Sequence, residues 1–400
     1  MQPGHVVFAE NYLRDTAWQD RRFIMELIKE AVEEGYGLPL TPLINSSDDM
    51  RIFRNLAPAP WTESYFELPA QAEAWLTVHM RECSLVISYE MPEWMRVFLD
   101  RHHIPWLDIR LSPLRFSLDL MLAVRSSDES TNTFLRSAGI AGQTIRMFAS
   151  QMRASSRRLL NMHSEDSDDH FRNSLVFIGQ TASDAALIAP PGKLLSVSDY
   201  SRRLKMLSEG KEHIYYHPHP FAGEHQTYEI RTLSEVTGRE VRRTDTGTSA
   251  LLAMRPGAVL TGISSGLLQE ANYFHQRCEI LFRPICPLEG DLAYAQFYIA
   301  DLMSANFWRN VSCPGAIPFM ASQGIANQLR YLHNLWFSFD NHIMEKGPGK
   351  AFAESSRNQR EMLINLETRL LNLERSWKRL SGSTVFRMLK VVRRLFSGGL

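Results

Sequence analysis

A chain of 400 residues, 44% apolar and 22% charged, exceeds one ordinary core and predicts a soluble protein of two domains. Lys plus Arg and Asp plus Glu both number 44, which removes any bulk electrostatic argument for a nucleic-acid partner. Cys83, Cys278, Cys286 and Cys313 have no C-x-x-C spacing, so no disulfide scaffold is expected and a reducing cytoplasm is the natural compartment.

The opening residues lack a basic segment followed by an apolar core and read as no signal peptide. No window approaches the roughly 18 uninterrupted apolar residues of a membrane span. His5 to Ala9 reads as the first strand. Asp15 or Thr16 is expected to cap a helix with the stripe Phe23, Leu27 and Ala31, stopped by Gly35. Pro58, Pro60 and Trp61 fall in a loop, and a second helix covers Ala70 to Arg81. Ser84 to Tyr89 is a buried strand ending at Glu90, Pro92 opens another helix, and Ile104 to Arg110 returns as a strand. Residues 134–161 read as one helix with Phe134, Ile140, Ile145 and Phe148 available to pack. The acidic run Ser164 to Asp169 is taken as the linker, residues 164–173, between an N-terminal domain, 1–163, and a second one, 174–330.

Beyond the linker, strands at 174–179, 212–216, 239–243, 258–262 and 278–282 alternate with helices at 198–209, 224–237, 247–254 and 266–275. That alternation predicts a parallel α/β sheet, whose strands place their C-terminal ends along one ligand-binding edge. There is no solenoid repeat and no glycine-rich phosphate fingerprint. The remainder, 331–400, is expected to be helical. Leu363, Leu366, Leu370, Leu373, Trp377 and Leu380 form a short heptad seam, either a brief coiled coil or a docked helix. From Ala351 onward ten basic side chains face four acidic ones, and Val385 to Phe396 is basic and amphipathic. Such a segment suits an anionic membrane surface, or else is a terminal helix or the start of a further module.

Three strand ends carry polar chemistry. Leu175 to Asp184 runs through Gly179 and Gln180 into a polar loop, Ile214 to Pro220 ends in His217-Pro-His219-Pro, and Ala258 to Gly266 ends in Ser264-Ser265 before a helix. The hydroxyls and amides at that helix start suit an anion, although a serine N-cap explains the same residues. His217 and His219 have no carboxylate or cysteine at ligand spacing, so a metal site is not expected.

Taken in order, these elements resemble the bacterial capsule and O-antigen β-Kdo transferases, over roughly residues 174 to 282, and more distantly the bacterial sialyltransferases. The resemblance implies an α/β fold of GT-B type, two Rossmann-like domains facing a central cleft, followed by C-terminal helices. It implies a metal-free retaining transfer of Kdo from CMP-β-Kdo to a glycan acceptor, lipid-linked in the expected setting, on the cytoplasmic face of the inner membrane.

Within that frame Asp184 is the nucleophile of a double displacement, with Gln180 positioning it or the donor. His219 with Pro220, and Ser264, Ser265 and Gly266, would hold CMP, and Glu270 would take a ribose hydroxyl unless it is a surface residue. Asp184 as a turn cap remains the competing explanation. Glu90 and Asp108, at the ends of N-terminal strands, are candidates for proton handling. Arg110 and Arg115 would pair with Asp108 or with the sugar carboxylate, and His217 is a further substrate-binding candidate. Another CMP-nonulosonic acid as donor, or a non-catalytic glycan- or nucleotide-binding scaffold, are the alternative readings.

Overall fold

The computed structural model describes residues 4–14, 22–163, 171–322 and 324–336. The expected cap at Asp15 or Thr16, the acidic linker over 164–170, and the heptad seam and basic tail lie outside these residues. Met1–Asp340 forms one compact unit containing two sheets, and the second unit, Asn341–Leu400, is not among the described residues.

The first sheet begins with β1 (His5–Glu10), β2 (Leu40–Pro42), β3 (Cys83–Tyr89), β4 (Trp106–Leu111) and β5 (Met121–Ser126). The second contains β6 (Ser174–Ile178), and a small hairpin, β7 (Ile188–Ala189) with β8 (Lys193–Leu194), follows it. Then come β9 (His213–His217), β10 (Val241–Arg243), β11 (Val259–Gly262) and β12 (Arg277–Ile280). A last strand, β13 (Ala295–Tyr298), returns to the first sheet and pairs antiparallel with β5. The sheet orders are β13-β5-β4-β3-β1-β2 and β10-β9-β6-β11-β12.

Period-2 alternation loads both faces of each sheet. In β1, Val6 and Phe8 face a core that includes Ile28, Phe134 and Trp308, while Val7 and Ala9 face Phe53, Leu76 and Trp94. In β6, Val176 and Ile178 pack with Leu260 and Leu268, and Leu175 and Phe177 pack with Leu204 and Leu233. A strand buried on both faces needs an unbroken apolar run, which is why the sequence signals of β3 and β6 are so clear.

The order of the second sheet matters most for function. All of its pairings are parallel. From β6 the chain moves outward through β9 to β10, then crosses back to lay β11 on the other side of β6. The strand order therefore reverses between β6 and β11, and a crevice opens beyond their C-terminal ends. In the first sheet the equivalent reversal lies between β1 and β3, whose last residues pair as Glu10 with Tyr89.

Several expectations are corrected. The first helix, Phe23–Tyr36, runs through Gly35 and stops at Gly37, in left-handed conformation with φ 81°. Gly35 is instead a close-approach position, since a Cβ there would lie 2.1 Å from the Ala305 carbonyl oxygen. The buried stripe keeps Phe23 and Ala31 and adds Ile24 and Ile28, with Leu27 only partly buried. The single helix expected over 134–161 is two, Glu129–Ala138 and Gly142–His163. They break where the Ile140 N–H bonds the Gln296 carbonyl at 2.8 Å, a partner supplied by β13. The boundary drawn at residue 330 also fails to follow the sheets, because β13 and the helices Ile299–Leu302 and Ala305–Ser312 build the first core.

Candidate active site

The crevice between β6 and β11 brings the first and third polar strand ends together. Gln180, buried directly after β6, donates from Nε2 to Asp184 Oδ2 at 3.0 Å and accepts the Ser264 N–H at 2.8 Å. One amide side chain thus ties the Asp184 loop to the serine loop across the reversal point. Glycines on both strands allow this closeness. A Cβ on Gly179 would sit 2.1 Å from the Tyr216 hydroxyl oxygen, and one on Gly262 would sit 2.8 Å from the Ile178 carbonyl oxygen.

Asp184 is half-buried and caps the short helical turn Ala185–Leu187, its Oδ1 accepting the Ala186 N–H at 2.9 Å. The capping explanation is therefore realised in the geometry. It does not exhaust the group: a carboxylate offers about four lone-pair sites, and these two hydrogen bonds use two of them.

His219 takes the Phe221 N–H on Nδ1 at 3.1 Å, which fixes the neutral tautomer with its proton on Nε2. Burial lowers its pKa, Asp184 opposes that shift, and Arg115 reinforces it. At neutral pH the ring is an uncharged Nε2–H donor within the electrostatic reach of Asp184. Pro220 follows it in the turn leading to the helix His225–Thr237. His217 is buried deeper, with Nε2 3.3 Å from Thr248 Oγ1 and Nδ1 without a hydrogen-bond partner. Burial and the neighbouring His219 push its pKa down to about 4. Among the described residues, no three His, Cys, Asp or Glu side chains are grouped as metal ligands.

The serine loop divides its labour. Ser264 Oγ donates to the Arg283 carbonyl at 2.8 Å, so this hydroxyl is structural and only the loop's backbone is set by Gln180. Ser265 occupies the N-cap position of the helix Gly266–Tyr273, yet its side chain makes no capping bond. That hydroxyl, with the helix's first amides, is the one left to meet an anion. Gly266 accommodates Pro113, whose Cβ would lie 3.0 Å from an added Cβ, so its need for glycine is set by the protein.

Glu270 is neither on the surface nor turned to solvent. It is buried on the same helix and accepts the Arg115 N–H, and desolvation raises its pKa to about 7 against the pull of Arg115 and Arg330. It thus fastens the loop after β4 onto the helix that starts at the serine loop. Arg115 itself is exposed; the protein packed around it lowers its pKa, while Glu270, Tyr89, Glu90 and Cys286 act the other way.

In the first sheet Asp108 and Arg110 form a closed structural knot rather than a proton-handling or substrate-binding pair. Asp108 Oδ1 accepts the Met91 N–H at 2.9 Å, and Oδ2 accepts Arg110 Nε at 2.6 Å and the Tyr294 hydroxyl at 2.7 Å. Burial works against the Arg110 charge, but Asp108 and its neighbours outweigh it and hold the guanidinium well above its ordinary pKa. Glu90 differs. It ends β3 in left-handed conformation, φ 56°, with 47% of its side chain exposed and Arg14 at 3.7 Å. A glutamate held at positive φ is strained, and such strain collects at functional sites.

Three contributors escape sequence reading. Arg14 reaches the Ser183 carbonyl at 3.3 Å as well as Glu90, joining the first sheet's crevice to the Asp184 loop. Tyr294 completes the Asp108 knot from 186 positions along the chain. Glu229 accepts the Tyr216 hydroxyl at 2.5 Å. Nothing local marks any of them, because each works through a partner brought near by topology.

Among the described residues, no helix is long and apolar enough to cross a membrane. No protein-family model matches the chain, and no curated protein matches it. Two solved structures from Thermosulfurimonas dismutans are similar to it. One is KpsC, beta Kdo 2,7 transferase, at 10% identity and TM-score 0.34, covering 70% of this chain and 80% of its own. The other is KpsC, beta Kdo 2,4 transferase, at 12% identity and TM-score 0.32, covering 70% of this chain and 81% of its own. A likeness of this depth carries no argument about chemistry, which has to rest on the side chains described above.

Proposed function

We propose that this chain is a retaining glycosyltransferase of GT-B layout that moves Kdo from CMP-β-Kdo to a hydroxyl of a glycan acceptor. The observation that carries the reading is the Gln180 bridge, at 3.0 Å to Asp184 and 2.8 Å to the Ser264 amide, at the strand-order reversal. It joins a carboxylate with unused lone pairs to a helix start suited to a phosphate. The resemblance of the three strand ends to the β-Kdo transferases supplies the substrate class.

In the proposed reaction an Asp184 oxygen attacks the anomeric carbon of the donor. The bond from that carbon to the phosphate oxygen breaks, and CMP leaves with its electron pair. His219 Nε2–H, Ser265 and the first amides of the helix Gly266–Tyr273 stabilise the departing phosphate. The acceptor hydroxyl then attacks the same carbon from the opposite face, its proton passes to Glu90, and the ester bond to Asp184 breaks. Two inversions leave the β configuration unchanged. A lipid-linked acceptor at the inner membrane, approached through the basic tail, completes the proposal.

The test is CMP release and product formation from CMP-Kdo and a Kdo-accepting glycan in excess chelator. Turnover with CMP-Kdo and a β-linked product support it. Turnover only with another CMP-nonulosonic acid moves the donor assignment, and activity abolished by the chelator contradicts the metal-free chemistry.

A further inference from the structure

Behind Gln180 lies a buried acid that the reaction scheme does not use. Glu229, on the helix His225–Thr237, is only 4% exposed. It accepts the Tyr216 hydroxyl at 2.5 Å, and the Gln180 backbone N–H is near enough to its carboxylate to draw its pKa down. His225 Nε2, from the same helix, lies 3.8 Å away. Gly179 is shaped to this arrangement, because any Cβ there would meet the Tyr216 hydroxyl oxygen at 2.1 Å. A glycine, a phenol and a carboxylate are thus fitted to one another immediately beneath the residue that ties Asp184 to Ser264.

Stability alone gives no reason for that choice. Burying a carboxylate costs free energy, and one turn further along the same helix face the core position is filled by Leu233. Desolvation lifts the Glu229 pKa to about 7, and the Tyr216 hydroxyl and the nearby Gln180 N–H resist that rise without cancelling it.

We propose that Glu229 is a positioning residue: it fixes the Gln180 main chain, and through the Gln180 side chain it sets both the Asp184 carboxylate and the Ser264 amide. This rests on the transferase reading only for its consequence in catalysis; the positioning itself has a separate readout.

Glu229→Gln retains a carbonyl acceptor for the Gln180 N–H and an amide that the Tyr216 hydroxyl can accept, whereas Glu229→Leu keeps the volume and loses both. The Leu variant is expected to lose about 10- to 100-fold in kcat, the range typical of residues that orient a site from behind. Its affinity for CMP should stay within about threefold, because His219 and Ser265 are untouched. The Gln variant should recover most of the kcat. The Gln180 amide nitrogen, followed by NMR, should titrate with a midpoint near 7 in the wild-type protein and not in Glu229→Gln. Wild-type kcat in the Leu variant, or a Gln180 amide that does not respond to pH, overturns the proposal. Equal losses in the Gln and Leu variants also overturn it, since charge and not positioning would then be at work. If the wild-type chain turns over no CMP-sugar, the transferase reading fails while the amide titration still decides the role of Glu229. The Gln variant keeps that test open should the Leu variant fail to fold.

Discussion

Asp108, inside β4, and Asp184, in the loop after β6, are carboxylates of two similar sheets, and they have opposite fates. Asp108 is 2% exposed, and its two oxygens accept three hydrogen bonds, from Met91, Arg110 and Tyr294. Asp184 is half-buried, its oxygens accept two bonds, and its neighbours include His219 and, through Gln180, the serine loop. Placement beside an apolar strand in the sequence therefore does not separate an acid closed by its neighbours from one with lone pairs to spare. Saturation does: a carboxylate that has spent its lone pairs inside the protein is a fastener, and one held by two neutral donors keeps an oxygen to offer.

The comparison breaks most sharply under matched substitutions. Asp184→Asn should abolish transfer, by on the order of 10⁴-fold or more as for other lost nucleophiles, as read by CMP release. Its cost in stability should be only about 1 kcal/mol, because Asn caps nearly as well; part of that cost is the clash of its amide with Gln180 Nε2, which already faces Asp184 Oδ2. Asp108→Asn should do the reverse. Leaving Arg110 without its partner should cost about 3–5 kcal/mol in denaturant unfolding, the usual penalty for breaking a buried pair. Any folded fraction of that variant should retain turnover.

A smaller effect sharpens the same contrast at the phosphate. His219→Ala should weaken CMP binding by about 1.5–3 kcal/mol, the value of a hydrogen bond to a charged group, in calorimetric titration with chelator present. Replacing Ser265 by Ala should also weaken it, whereas Ser264→Ala, which removes a bond to the Arg283 carbonyl, should appear mainly as lost stability.

A last effect, read in stability and not in turnover, concerns Glu270, the buried acid that fastens the Arg115 loop. Its pKa rises from 4.5 to about 7 in the folded chain, so the native state holds a proton that the unfolded state has released. The stability associated with that proton is complete below about pH 4.5 and is lost as pH rises through 7. The contribution to the slope is at most about 1.4 kcal/mol per pH unit. Glu270→Gln should flatten the unfolding free energy over that interval, and an unchanged pH profile would contradict the assignment.

What the sequence could show follows from the range of each interaction. The five strands of the second sheet and the helices between them are legible to within a residue or two because each is a local pattern, an apolar run closed by glycine, proline or a capping residue, whereas the turn Ala185–Leu187 and the hairpin of β7 and β8 were not expected. The placement of Gln180, Asp184, His219 and Ser265 within a few residues of a strand end was legible for the same reason, while the roles proposed for them come from the resemblance. β5 and β13 were not, since β5 runs antiparallel to both of its neighbours and one of them, β13, lies over 170 positions away along the chain. The Asp108 knot needed Tyr294, the residue just before that same distant strand, so Asp108 read as available when it is closed. Glu229 lay within a helix stretch that the sequence presents as an ordinary surface face.

The central claim is that Asp184 carries the sugar covalently, and mass spectrometry of the enzyme tests it directly. The wild-type protein, incubated with CMP-Kdo and no acceptor, then quenched in acid and digested, should show a Kdo-sized increment on the peptide containing Asp184. The increment should disappear when acceptor is added and be absent from Asp184→Asn. An increment on a different peptide, or steady transfer by Asp184→Asn with none at all, would remove Asp184 from the mechanism.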